Sequence, residues 1–105
     1  MISTDSEAQA RERHRLQKIG ALIDSYEQGS ISQASFLHEL DALLGALELA
    51  EISWRDALKS EWWSIEQVFA ASKEPDLKPS DEQAGMIIRV ALSNMRKLLA
   101  EIEHG

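Results

Sequence analysis

The sequence predicts an all-α fold, an antiparallel up-and-down four-helix bundle, and three observations lead there. Apolar residues recur at spacings of three and four along nearly the whole chain, the period of a helix with one buried face. Caps, a glycine and two prolines divide that pattern into four stretches, near 5–28, 33–50, 54–73 and 81–103. The connections between them are short, which favours antiparallel neighbours. With 105 residues, 44% of them apolar, the chain has the material for one domain (1–105) with a core of its own.

The first helix opens on Thr4 and Glu7, at capping-box spacing, and carries Leu16, Ile19, Ile23 and Tyr26 as one buried stripe. Gly29 follows, a residue able to take the left-handed conformation that closes a helix. Ser32 is placed to cap the second helix, with Ile31 before it and Phe36 beyond it positioned as a hydrophobic staple. Phe36, Leu40, Leu43, Leu44 and Leu47 form its core face. The opposite face, His38, Ala42, Gly45, Ala46 and Leu49, carries no firm charge, so this helix is expected to be covered on two sides.

Between the second and third helices the rhythm of Leu40, Leu44, Leu47, Glu51, Trp54 and Leu58 runs on, which would allow one continuous helix over 33–73. Ser53 with Asp56 at cap spacing favours a break instead, since a 41-residue rod of roughly 60 Å would outgrow a globule this small. The third helix buries Trp54, Leu58, Trp62, Ile65 and Phe69. Pro75 and Pro79 end it and bound the loop. Ser80 and Gln83 form the next capping box, with Asp81 and Glu82 in the first turn where the helix dipole favours anions. Ala84, Ile88, Ala91, Met95, Leu98 and Ile102 make the last core stripe.

Composition narrows the function. There is no cysteine, so disulfides, thiolate metal sites and cysteine nucleophiles are excluded. Residues 1–10 lack the apolar core of a secretory signal, and no apolar run approaches a membrane span, so a soluble cytoplasmic protein without membrane contact is expected. The net charge of −7 is concentrated in residues 19–72, where nine acidic side chains face only Arg55 and Lys59. Such a field repels phosphate backbones and attracts basic surfaces. The basic residues Arg11, Arg13, Arg15 and Lys18 on the first helix are expected to pair with this acidic middle rather than with nucleic acid.

Catalysis has little support. There is no glycine-rich phosphate loop, and His14, His38 and His104 lie apart. Glu101 and His104 form a single Glu-x-x-His at the last turn, where a di-metal bundle needs two such motifs plus inward glutamates. No carboxylate interrupts an apolar stripe strongly enough to suggest a catalytic role; Glu61 comes closest, flanking the Trp54–Trp62 stripe, and is expected to reach to water. No enzyme, cofactor or metal site is therefore expected.

The informative residue is Trp63. Successive helical residues turn by roughly 100°, which sets Trp63 nearly opposite the Trp54–Trp62–Phe69 stripe. Its neighbours there are Asp56, Lys59, Glu66 and Gln67. An aromatic ringed by polar side chains fits a hot spot for a protein partner, with Glu48 and Glu51 as further acidic contacts. Burial of Trp63, or of the His38–Leu49 face, in a homodimer is the alternative.

The run Leu22-Ile23, Tyr26, Gly29, Ile31-Ser32 and Phe36 resembles small helical immunity proteins of bacterial toxin systems, the colicin D type and some of contact-dependent inhibition. The resemblance implies a protein that covers the active site of a basic, nuclease-like toxin domain, with acidic side chains standing where substrate phosphates would lie.

Overall fold

The computed structural model describes residues 4–76 and 78–104, with side chains over 7–76 and 78–102. The fold is all-α: α1 (Thr4–Glu27), α2 (Gln33–Ala46), α3 (Ile52–Ala71) and α4 (Asp81–His104), with no strand among the described residues. The chain divides into two compact units, Met1–Arg55 and Asp56–Gly105, the boundary falling in the first turn of α3.

In the first unit α1 ends as expected. Gly29 takes φ 76°, the Ser30 amide donates to the Ser25 carbonyl at 2.9 Å, and the Gly29 amide donates to Tyr26 at 3.1 Å. That is the paired hydrogen bonding of a Schellman motif, which satisfies carbonyls the helix end would leave open. Ser32 caps α2, its hydroxyl accepting from the Ser35 amide at 3.1 Å. Ile19, Ile23, Phe36 and Leu40 are fully buried, each worth about 1.5–3 kcal/mol of apolar transfer. Tyr26 stacks on Phe36 with ring centroids 4.5 Å apart, and burial raises its phenol pKa above the usual 10.0. Leu37 is buried as well, beyond the core face read from the sequence. The capping box assigned to Thr4 and Glu7 lies outside the described side chains.

The break between α2 and α3 is real, but it falls elsewhere than expected. α2 stops at Ala46, not residue 50, with Leu47 extended (φ −66°, ψ 131°). Leu47-Glu48-Leu49-Ala50-Glu51 holds no glycine or proline and consists of helix-compatible residues, so local preference would carry the helix on. Glu12 of α1 prevents it. Its carboxylate accepts from the amides of Glu48, Leu49 and Ala50 at 2.9, 2.8 and 2.9 Å. In a continuing helix those amides would donate to carbonyls four residues back. The α2 end is further held by Arg55, whose Nη1 donates to the Leu47 carbonyl at 3.1 Å. α3 then starts at Ile52 rather than 54, placing Ser53 inside the helix, where its expected cap with Asp56 is not the helix start; the Glu51 carbonyl accepts from the Arg55 amide instead.

In the second unit α3 ends at Ala71, two residues before the expected 73, and α4 begins at Asp81 as read. The Ser80–Gln83 box closes in both directions: Gln83 N–H donates to the Ser80 hydroxyl at 3.1 Å, and the Ser80 amide donates to Gln83 Oε1 at 3.4 Å. Leu58, Ile65, Ala91 and Met95 are buried as expected. Val68, Leu92 and Leu99 join them, while Trp54, Trp62 and Phe69 are only half-buried.

Candidate functional site

The outer face of α3 is built on the buried line Leu58–Ile65–Val68, which turns Trp63 outward. Trp63 is 53% exposed. Its ring lies 6.3 Å from that of Trp62, tilted by 36°, so a half-buried tryptophan braces an exposed one from the preceding position. The Lys59 ammonium sits over the Trp62 ring, 3.9 Å from the centroid, in a cation–π contact. Of the other expected contacts in this unit, Asp56 and Gln67 are exposed and Glu66 is half-buried. One helical turn beyond Trp63, Gln67 borders an open groove of ≈ 240 Å³, walled by Ser64, Val68 and Ala71 of α3, by Pro79, and by Ile87 of α4. Ile87, Met86 and Val90 of α4 are exposed.

Glu48 and Glu51 belong to the first unit and have other engagements there. The Glu48 carboxylate lies 3.7 Å from Arg11 and 4.0 Å from Arg15, the internal pairing expected of the basic cluster. Glu51 is exposed at the start of α3, where its carbonyl serves the helix. Arg15 stands 3.9 Å from Glu12 and 4.0 Å from Glu48; its buried Nη1 makes ion pairs without a hydrogen bond. These contacts hold the segment after α2.

Two carboxylates are held by hydrogen bonds inside their own units. Glu12 does interrupt an apolar stripe. It precedes Leu16, Ile19, Ile23 and Tyr26 by the spacing those residues keep among themselves, and it is 5% exposed. Its place on the stripe was the signal available in the sequence. Glu61 is half-buried, and Asn94 of α4 donates to its Oε1 at 3.2 Å.

The uncharged face of α2 is open. His38 and Ala42, with Leu43 and Glu39, line a shallow groove of ≈ 620 Å³ together with Lys18, Ala21, Leu22 and Ser25 of α1. Gly45 faces open space, and Leu49 falls beyond the helix end. Among the described residues no cluster of three or more histidine, aspartate or glutamate side chains could hold a metal ion, and no helix is long and apolar enough to cross a membrane. The His104 side chain of the Glu-x-x-His lies outside the described ones. No protein-family model matches the chain, and no curated protein or solved structure matches it.

Proposed function

We propose that this chain is a non-enzymatic binding protein whose partner seats on the outer face of α3, with Trp63 as anchor and Asp56 and Glu66 as charge partners. One observation carries the reading: a large aromatic, half exposed and braced by Trp62, on the helix face turned from the core. A side chain held that way gives apolar contact with little ordering left to do on binding. Gln67 and the groove beside it extend the same surface. With a net charge of −7, the fitting partner is a basic domain.

The finer reading is an immunity protein that occludes the active site of a basic, nuclease-like toxin in the cytoplasm of the producing cell. The residues behind the resemblance build the α1–α2 turn, so its support is the shared turn together with the acidic surface. Acidic steering would speed association and weaken as salt rises.

The test is recovery of the partner from the native host with wild-type protein, then its affinity for wild type and Trp63→Ala. The expected loss is at least about thirtyfold, roughly 2 kcal/mol, at a stability within about 0.5 kcal/mol of wild type. Equal affinities would remove Trp63, and this face, from the interface.

A further inference from the structure

Beside Trp63 stands a carboxylate that nothing in its own chain satisfies. Glu66 lies three residues after Trp63, on the neighbouring turn, and is half-buried. Its side chain makes no ion pair or hydrogen bond among the described residues, and neither does that of exposed Asp56, seven residues before Trp63. A carboxylate drawn partly out of water gains most from a cation that brings its own hydrogen-bond donors. The adjoining indole is 53% exposed, and an indole face attracts positive charge. The tryptophan pair already holds one cation, the Lys59 ammonium over Trp62.

The other charges around α3 are engaged or turned elsewhere. Arg55 donates to the Leu47 carbonyl, Glu61 accepts from Asn94, and Lys73, just past the helix, sits over the Phe69 ring at 4.2 Å. No charged residue lines the groove beyond Gln67. Ile87 of α4 walls that groove, and Arg89 lies roughly 200° further round the same helix. Lys59 is thus the one cation on the outer face, three residues from Asp56 and seven from Glu66. The negative charge left over falls on the Glu66 side of Trp63. A guanidinium suits that place better than an ammonium. It is planar, stacks on an indole face while its edge donates paired hydrogen bonds to a carboxylate, and is more weakly hydrated.

We propose that Trp63 and Glu66 form a site for an arginine side chain of the partner, its guanidinium stacked on the exposed indole and hydrogen-bonded to the Glu66 carboxylate. Asp56 adds attraction from two turns away. The inference rests on the Trp63 interface and names the chemical group that fills it. Such a site favours a basic partner that presents arginine over one that presents lysine.

The test titrates the purified chain at low salt with three probes: a short alternating Arg-Gly peptide, its lysine counterpart, and its citrulline counterpart, which keeps the shape and loses the charge. Calorimetry gives the affinities, and the indole N–H signals locate the contact, with that of Trp63 assigned by its absence in Trp63→Phe. The arginine peptide is expected to shift the Trp63 signal and to bind with Kd below roughly 1 mM, about threefold tighter than the lysine peptide. Trp63→Leu keeps an apolar side chain without a π face and should weaken the arginine peptide about fivefold. Glu66→Gln should weaken it about threefold. Unchanged helicity by circular dichroism shows that both variants fold. No binding by wild type up to roughly 1 mM overturns the proposal. So do equal affinities for the arginine and lysine peptides, or an arginine peptide indifferent to Trp63→Leu. Against the partner recovered from the host, the two readings separate. Affinity lost in Trp63→Ala but kept in Trp63→Leu leaves Trp63 as an apolar anchor and removes the arginine. Affinity kept in both variants removes the interface itself.

Discussion

The two units of the chain each join two helices by local caps, and the first adds a long-range one at the far end of α2. In the first, a buried carboxylate does what capping residues usually do: Glu12 collects three amides 36 to 38 residues away and stops α2 where the local sequence would continue it. In the second, termination is local, with two prolines in the loop and a reciprocal Ser80–Gln83 box. In the first unit Arg11 and Arg15 pair with Glu48 near the surface. The second leaves Trp63, Met86, Ile87 and Val90 exposed, and the first leaves Leu49 and Ile52. The proposed Trp63 surface lies in the second unit.

The largest expected effect breaks the comparison at its centre. Glu12→Ala leaves three amides and Arg15 without their carboxylate, a loss of about 3–5 kcal/mol by urea unfolding. A loss under about 1 kcal/mol would mean that residues 47–51 simply join the helix, and carbon chemical shifts across that segment would report it. Gly29→Ala comes next: an L side chain at φ 76° is strained, and about 1–2 kcal/mol should be lost, although there is open space around the site. Ser80→Ala removes the local cap of α4 and should cost about 1 kcal/mol. If Ser80→Ala proved as damaging as Glu12→Ala, the division into long-range and local closure would fail.

The smallest effect is a pH dependence confined to the first unit. Burial raises the Tyr26 pKa, so the folded state keeps a proton that the unfolded chain releases. That contribution is complete below the unfolded value of 10.0 and is lost as pH rises from there through the folded pKa. Tyr26→Phe should lose less stability than wild type between pH 9.5 and 11 (roughly the range bracketing an ordinary phenol), measured by paired denaturant curves.

Much of the fold was legible because its signals are short-range. The Gly29 turn, the Ser32 cap and the Ser80 box each depend on residues a few positions apart, and periodicity located Ile19, Ile23, Phe36, Leu40, Leu58, Ile65 and Met95. The outward placement of Trp63 followed from helical geometry alone, because one residue's azimuth is set by its neighbours'. The widths of the buried faces were less legible: Leu37, Val68, Leu92 and Leu99 lie off the predicted stripes, since how far a helix buries depends on what packs against it.

By itself, then, the sequence determined four helices, their turns, an acidic surface and one misplaced tryptophan, all consequences of local spacing and composition. Tertiary structure alone decided where α2 ends, which acidic residue pairs with the α1 arginines, and that Lys59 sits over Trp62. The physical reason is common to all three. Each depends on a polar group choosing among partners that local spacing leaves equally available, and only the packed chain brings one of them within reach.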